Sequence, residues 1–209
     1  YYKYYFDPAD NFLKGRYLDG NFSKEKFDPT AVHHHSKGYY VEGNGWHYAF
    51  YVPQDVNTHI EMMGGDEAYT NKLDEMFSGA NLGDVANGVL DVTGSIGQYT
   101  HGNEPSHQVP YLYAYAGQPW KTQMRVKQII DEMCDDTREG LGGNEDCGQM
   151  SAWYILSTMG FYQVAPASNV YVLGTPRFAN ASIALSNGKT FDIEAENVSD
   201  TNFYVKEVY

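Results

Sequence analysis

The sequence is short of positive charge. Its 209 residues contain 14 Lys and Arg against 27 Asp and Glu, which gives a formal net charge of −13. A surface this acidic repels the phosphate backbone of nucleic acids, so we expect no nucleic-acid partner. The same charge suits neutral ligands, cations or a metal ion held by carboxylates. An aromatic content of 15% is compatible with a sugar site, because the apolar faces of sugars stack on rings.

The chain also lacks a cysteine framework and a long hydrophobic run. Its two cysteines, Cys134 and Cys147, could form one disulfide, but their number and spacing match neither a disulfide scaffold nor a zinc motif. No stretch approaches the roughly 20 apolar residues of a membrane-spanning helix, so no membrane span is expected. With 42% hydrophobic residues, the composition is that of an ordinary globular domain.

Several familiar enzyme motifs are missing as well. There is no G-x-S-x-G elbow for a nucleophilic serine, and Gly142-Gly143 is not followed by the Lys-Ser/Thr of a phosphate loop. An EF-hand loop and an HExxH zinc motif are absent too. His47, His101 and His107 are therefore interpreted as hydrogen-bonding residues rather than zinc ligands.

Helical patterns dominate the first three quarters of the chain. Apolar spacing, prolines at first helical positions and glycines after the last turns predict helices, with short Gly-containing turns that favour antiparallel hairpins. The predicted helices are 39–52, 54–63, 66–77, 105–115, 119–133 and 147–159.

After Gly160 the pattern becomes strand-like. Short β-prone runs occupy 170–173, 182–185, 191–195 and 203–208, and Asn187-Gly188 predicts a hairpin turn between the second and third. The fold class is therefore mainly α with a β-rich C-terminal segment. Residues 1–6 resemble the end of a helix, and the last strand has no partner after it, so we expect a piece of a larger protein.

Three polar, glycine-rich segments each open a predicted helix, and chemistry is expected there. They are 41–48, 101–108 and 142–151. Free N–H groups and the helix dipole at such starts favour carboxylates and polar ligands. Any one segment could simply cap its helix, but three together favour a site. Their carboxylates suit either glycoside hydrolysis, which needs an acid and a base, or a hard cation such as Ca²⁺.

These same segments resemble the signature motifs of glycoside hydrolase family 92, the calcium-dependent exo-acting α-mannosidases. The resemblance covers nearly the whole chain in the right order. Its core motifs are Glu42-Gly43-Asn44-Gly45-Trp46-His47-Tyr48, Gly102-Asn103-Glu104-Pro105-Ser106-His107 and Gly143-Asn144-Glu145-Asp146-Cys147-Gly148-Gln149-Met150.

The resemblance implies a fold and a setting. Residues 1–162 would form the later helices of an (α/α)6 toroid, and 163–209 a truncated β-rich segment. Family members are much longer, with an N-terminal β-sandwich domain that completes the active site, so that missing domain is an expected partner. A secreted, periplasmic or cell-surface location is expected on the same ground.

The resemblance also implies a reaction and its residues. An inverting exo-α-mannosidase would remove terminal α-mannose from glycans, with Glu42 as the general acid and Asp146 as the general base. Asn103 and Glu104, with Asp146 nearby, would hold Ca²⁺. The remaining predicted substrate-binding residues are Trp46, His107, Asn144 and Glu145. Residues 90–94, near the second motif, do not define the linkage that is cleaved.

The residues alone leave two other interpretations of the function open. The chain could be a calcium- and sugar-binding or structural module that is inactive without the missing domain. It could also belong to an unrelated toroid hydrolase, which would act on another sugar without calcium.

Overall fold

The structure is a computed structural model that describes residues 1–32, 38–82 and 92–209. Among these residues the helices are α1 (Tyr2–Tyr5), α2 (Gly45–Ala49), α3 (Val56–Met62), α4 (Asp66–Ser78), α5 (Leu112–Tyr115), α6 (Pro119–Met133) and α7 (Gln149–Met159). The strands are β1 (Phe6–Asp7), β2 (Phe12–Leu13), β3 (Ser95–Ile96), β4 (Tyr99–Thr100), β5 (Phe161–Tyr162), β6 (Val172–Leu173), β7 (Asn180–Ala184) and β8 (Thr190–Glu194). Two 3₁₀ turns, Glu104–Ser106 and Val109–Tyr111, precede α5.

A core rich in aromatic side chains joins the helical elements. Tyr69, Tyr99, Tyr111, Tyr113 and Trp153 have no exposed surface. They come in turn from α4, β4, the second 3₁₀ turn, α5 and α7, so elements distant in sequence converge on one hydrophobic cluster. Burying rings of this size is the main stabilising contribution to the packing of these short elements.

The two longest helices confirm the predictions for 66–77 and 119–133. Asp66 and Glu67 lie in the first turn of α4, where negative charge favours the positive end of the helix dipole. Pro119 is the first residue of α6, where its missing N–H costs nothing. Asp74 then joins these helices, since it accepts a hydrogen bond from the Tyr113 hydroxyl at 2.9 Å and pairs with the ammonium group of Lys121.

The predicted helix over 39–52 is wrong for most of its length, because only Gly45–Ala49 is helical. Asn44 has an extended backbone, and its Oδ1 accepts hydrogen bonds from the N–H groups of Trp46 and His47. Asn44 is thus the N-cap of α2. A cap in the middle of the predicted segment leaves the residues before it free to form a loop.

Two further helices begin later than predicted. Residues 105–115 form the two 3₁₀ turns and the short helix α5 instead of one helix. Cys147 and Gly148 have positive φ angles of 58° and 98°, so helix α7 begins at Gln149 rather than at Cys147. The prediction for 54–63 is confirmed with slightly shorter bounds, Val56–Met62.

In the part of the chain that the structure describes, the strands form four separate two-stranded antiparallel sheets: β1–β2, β3–β4, β5–β6 and β7–β8. The predicted hairpin is confirmed by β7–β8, in which Ala184 pairs with Thr190 and Gly188 takes a φ of 77° in the turn. The β5–β6 pair crosses the boundary expected after residue 162, and the division into two domains stays a prediction.

The predicted last strand, 203–208, is wrong. Its backbone is held by side chains instead of by a neighbouring strand. The N–H of Val205 donates to Oε1 of Gln123 at 3.1 Å, and the carbonyl of Phe203 accepts from the Thr175 hydroxyl at 2.7 Å. The C-terminal segment therefore contains less β-structure than its β-prone residues indicate.

Cys134 and Cys147 are both free thiols in the structure, so they form no disulfide with each other. None of the helices within 1–32, 38–82 and 92–209 has the length and apolar character required to cross a membrane. Residues 90–91, part of the segment considered for linkage preference, lie outside the described residues.

Candidate active site

A contact between two glycines brings the second and third motifs together. Gly102 and Gly143 form an isolated parallel β-bridge. A Cβ atom placed on Gly143 would lie 2.4 Å from the Cα of Gly102, and one on Gly102 would lie 2.3 Å from Oγ1 of Thr93. Only glycine allows the backbones to approach this closely. We call this contact the glycine seam; it holds the segment of Asn103 and Glu104 beside that of Asp146.

A hydrogen bond attaches the first motif to the second. Nδ2 of Asn103 donates to the backbone carbonyl of Glu42 at 2.8 Å, although the two residues are 61 positions apart. Glu42 itself has a φ of 54°, in the left-handed region that non-glycine residues rarely occupy. All three predicted motifs are therefore joined in space, in the order Glu42, Asn103 and, through the seam, Asp146.

The loop that carries Asp146 is left-handed over three consecutive residues. The φ angles of Asp146, Cys147 and Gly148 are 53°, 58° and 98°. The carboxylate of Glu145 stabilises this turn by accepting hydrogen bonds from the N–H groups of Gly148 and Ser151, the latter at 3.1 Å. The pKa of Glu145 is lowered, first by a hydrogen bond from the Ser151 side chain and then by these backbone hydrogen bonds. Glu145 thus acts as a local cap, and its predicted contact with substrate stays a prediction.

His107 is buried between the second and third motifs, and both of its ring nitrogens have partners. Nε2 lies 2.9 Å from the carbonyl of His101, and since a carbonyl only accepts, Nε2 carries the proton. Nδ1 then accepts from Nε2 of Gln149 at 3.0 Å. Burial lowers the pKa of His107, and the His101 carbonyl and the charge of Asp146 oppose this shift.

Further buried contacts fix His107 in place. Nε1 of Trp153 donates to the carbonyl of His107 at 3.0 Å. The ring centroids of His101 and Trp153 are 4.3 Å apart. Burial is the main cause that lowers the pKa of His101 to about 3, and the neighbouring His107 adds to it. His101 is therefore neutral at ordinary pH. Both ring nitrogens of His107 are thus engaged by protein groups, and its direct contact with a sugar stays a prediction.

Trp46 lies in the core rather than on the open face of the site. Only 6% of its surface is exposed. Its ring packs edge-on against Phe12 at 5.0 Å, and the Lys72 ammonium lies 4.3 Å from the ring centroid. The role predicted for Trp46 in substrate binding is not supported by an accessible ring surface, and it stays a prediction.

Most of the oxygen donors of the site are exposed. Glu42 is partly buried, whereas the other acidic residues and Asn144 are exposed; this second group comprises Glu104, Asn144, Glu145 and Asp146. Asn103 is 6% exposed, and because its Nδ2 is used by Glu42, its Oδ1 is the atom left for a ligand. The arrangement therefore offers carboxylates and one amide oxygen around the seam, which suits proton transfer and the binding of a hard cation.

Two residues that shape this site, Tyr48 and Gln149, were not among the candidates predicted from the sequence. The hydroxyl of Tyr48 donates to the carbonyl of Val41 at 2.6 Å, next to Glu42, and Gln149 holds His107 as described above. Both lie inside the motifs listed from the sequence. Their position inside the motifs is the sequence feature that could have identified them, since a tyrosine or glutamine alone indicates no particular partner.

Comparison with known proteins shows the class of protein that this chain resembles. The chain is similar to a family GH92 α-mannosidase from Bacteroides thetaiotaomicron solved with mannoimidazole, with a TM-score of 0.90 and 39% identity, over 100% of this chain and 28% of that one. It is similar also to a family GH92 inverting mannosidase from Bacteroides thetaiotaomicron VPI-5482, with a TM-score of 0.78 and 35% identity, over 95% and 27% of the two chains.

A curated relative from Arthroderma benhamiae, described as an uncharacterized secreted glycosidase, is 32% identical over 165 residues, or 75% of this chain and 19% of its own. The relatives are glycosidases, and the chain spans less than a third of their length. The model of the glycosyl hydrolase family 92 catalytic domain matches residues 1–209. The chain belongs to glycosyl hydrolase family 92.

Proposed function

We propose that this chain contributes to an exo-acting, inverting, calcium-dependent α-mannosidase that releases terminal α-mannose from glycans. The observation that carries the proposal is the joining of three motifs by the Asn103–Glu42 hydrogen bond and the glycine seam. The names of the solved relatives, an α-mannosidase and an inverting mannosidase, support the same substrate and outcome.

Glu42 is the general acid in this proposal. It donates a proton to the glycosidic oxygen as the bond to the anomeric carbon breaks. Its backbone is fixed on the carbonyl side by Asn103, which limits how far the carboxyl group can move. Holding a proton donor within hydrogen-bond reach of the leaving oxygen is the requirement for general acid catalysis.

Asp146 is the general base. Its carboxylate takes a proton from a water molecule, which attacks the anomeric carbon on the face opposite the leaving group. The side chain is exposed, and no residue in the described ranges donates a hydrogen bond to it, so it is open to water. The Glu145 cap and the left-handed turn fix the backbone from which it projects.

The residues around the glycine seam carry oxygen atoms, the type of ligand that a calcium ion binds. Oδ1 of Asn103 and the carboxylate of Glu104 receive no hydrogen bond from the residues that the structure describes, and oxygen donors are what Ca²⁺ prefers. Within those ranges, no three His, Cys, Asp or Glu side chains are grouped closely enough to hold a metal by themselves. Asn103, Glu104 and Asp146 would thus hold the ion together with water or sugar hydroxyls.

When bound, calcium supplies a positive charge that orients sugar hydroxyls and favours a distorted ring. In the proposed setting, the helices belong to an (α/α)6 toroid that is completed by further chain, and a β-sandwich domain supplies the rest of the site. The location is outside the cytoplasm, in line with the description of the Arthroderma benhamiae relative as secreted.

The test uses the product of the whole reading frame that contains these residues, with an aryl α-mannoside and an α-mannobiose as substrates. We expect hydrolysis of both, loss of activity with a chelator, and recovery on adding Ca²⁺. Proton NMR should detect β-mannose as the first product. α-Mannose as first product would refute inversion, and unchanged activity after chelation would refute the calcium requirement. Preferential cleavage of a different aryl glycoside would refute the proposal that the substrate is an α-mannoside.

A further inference from the structure

Two successive backbone carbonyls beside the proposed acid are each held by a side chain. The hydroxyl of Tyr48 donates to the carbonyl of Val41 at 2.6 Å, and Nδ2 of Asn103 donates to that of Glu42 at 2.8 Å. Between these carbonyls lies Glu42, whose φ of 54° is costly for a residue with a Cβ. The peptide unit that carries the acid is thus fixed on both sides.

The Tyr48 ring is itself held in place. It lies on α2 and stacks on the ring of Tyr40, with centroids 5.2 Å apart and planes inclined by 16°. Helix α2 is anchored in turn by Asn44, whose Nδ2 donates to Oε1 of Gln98 at 2.9 Å. The hydroxyl therefore reaches Val41 from a fixed base rather than from a mobile side chain.

We infer that Tyr48 is a positioning residue for Glu42: its hydroxyl fixes the peptide between Val41 and Glu42 so that the acid is aimed at the leaving oxygen. The inference rests on the proposed function, because it assumes that Glu42 is the acid. Tyr48 acts through the backbone and needs no contact with substrate.

The state of the hydroxyl agrees with this role. Burial raises the pKa of Tyr48, the nearby Glu42 carboxyl group and Tyr51 raise it further, and the hydrogen bond to the Val41 carbonyl opposes the shift. The group therefore remains a protonated donor throughout the neutral range.

A misaimed acid has a specific kinetic consequence. Protonation matters most when the leaving group is a poor one, because an activated phenolate can depart without it. Loss of the Tyr48 hydroxyl should thus slow the cleavage of methyl α-mannoside and spare that of dinitrophenyl α-mannoside. A general loss of structure would slow both to the same degree.

The experiment compares Tyr48→Phe with Tyr40→Phe in the product of the whole reading frame. Tyr40 is a matched control, since its hydroxyl also donates to a backbone carbonyl, that of Leu13 in β2, and both variants retain the ring stack. We expect Tyr48→Phe to lower kcat for methyl α-mannoside by about tenfold to a hundredfold, with KM nearly unchanged. Its kcat for the dinitrophenyl substrate, and both rates of Tyr40→Phe, should stay within about twofold of wild type.

Equal losses on the two substrates in Tyr48→Phe, or equal effects of the two variants, would overturn the inference. Glu42→Gln is measured in the same series to separate the two hypotheses. If Glu42→Gln depends strongly on the leaving group and Tyr48→Phe does not, only the positioning role fails. If Glu42→Gln shows no such dependence, Glu42 is not the acid and both fail.

Discussion

Both proposed catalytic residues occupy a backbone conformation that costs free energy. Glu42 and Asp146 have φ angles of 54° and 53°, and neither is glycine or asparagine. A left-handed non-glycine residue costs about 1–2 kcal/mol, which glycine at the same position would avoid. A loop that served only to cap a helix would be more stable with glycine there. The same backbone region is occupied at Cys147 and Ala167, with φ angles of 58° and 63°, so the strain belongs to the local turns and the catalytic role of the two carboxylates stays a proposal.

The metal role of Glu104 is tested at the residue scale. Glu104→Ala removes an exposed carboxylate that has no protein partner among the described residues, so folding should be little affected. We expect calcium affinity, measured by isothermal titration calorimetry, to fall by roughly tenfold or more, together with activity. Glu61→Ala, an exposed acidic residue of α3, is the control and should leave both unchanged. Wild-type calcium affinity in Glu104→Ala would remove Glu104 from the metal site.

The sequence was most informative about residues whose role depends on local chemistry. Asn44, Asn103 and Asp146 lie in motifs whose residue types alone indicate polar contacts at helix starts. The pairing of Tyr48 with Val41, or of Gln149 with His107, depends on the approach of separate segments. No local pattern encodes such an approach, because a tyrosine hydroxyl or a glutamine amide can bond to almost any carbonyl or ring nitrogen.

At the scale of elements, the glycine seam sets the separation between the proposed base and the proposed metal ligands. Gly143→Ala would place a methyl group 2.4 Å from the Cα of Gly102, so the two backbones must separate. Gly142→Ala is the matched control, because its added Cβ would lie 3.1 Å from the Met133 Cβ, a contact that a small shift relieves, whereas the 2.4 Å contact at Gly143 requires two backbones to separate.

We expect Gly143→Ala to lower kcat/KM by about a hundredfold, since displacing catalytic groups by about 1 Å costs roughly that much. Gly142→Ala should lose less than about tenfold. Steady-state kinetics on an aryl α-mannoside, with thermal unfolding as a check on folding, measures both. Similar losses in the two variants would show that the seam does not set the geometry of the site.

Elements that satisfy their own backbone were predictable, and those that rely on distant partners were not. Helices α4 and α6 have their start and stop signals within the sequence, and the Asn187-Gly188 turn defines the β7–β8 hairpin. Over 39–52, Asn44 is held by Gln98, 54 residues away, and caps α2 in the middle of the predicted helix. The 203–208 segment fails as a strand because Gln123 and Thr175, far away in sequence, take up its backbone groups.

At the scale of the whole molecule, buried histidines make stability depend on pH. Burial lowers the pKa of His47 and of His59 to about 4, and that of His101 to about 3. The ordinary histidine pKa is about 6.5, so below that pH the unfolded chain binds more protons than the folded one. This contribution to stability is complete above about pH 6.5 and is lost as the pH falls towards 4, by up to about 1.4 kcal/mol per pH unit for each histidine.

His59→Phe isolates one of these histidines. His59 has no exposed surface, its ring nitrogens have no hydrogen-bond partner among the described residues, and it packs edge-on against Phe6 and Tyr69. A phenylalanine should therefore fit the same space. Thermal unfolding at pH 7 and pH 4.5 should show a smaller decrease in Tm for the variant than for wild type. An equal decrease would show that His59 is not a neutral, buried group.

The molecule combines a fold shared with family 92 and a set of exposed acidic side chains. Motif order identified the family, since long motifs in sequence order are far more specific than any single residue. The arrangement of the helices as part of an (α/α)6 toroid stays a prediction, because it depends on packing between elements, which local sequence patterns do not encode.

Leaving-group kinetics test most directly whether Glu42 is the acid and Asp146 the base. Glu42→Gln and Asp146→Asn are compared with wild type on methyl and dinitrophenyl α-mannosides, in the product of the whole reading frame. Glu42→Gln should lose about 10²–10⁴-fold on the methyl substrate and far less on the dinitrophenyl one. Asp146→Asn should lose about 10²–10⁴-fold on both, because water must be activated whichever group departs. Losses below about tenfold on methyl α-mannoside in both folded variants would contradict the assignment.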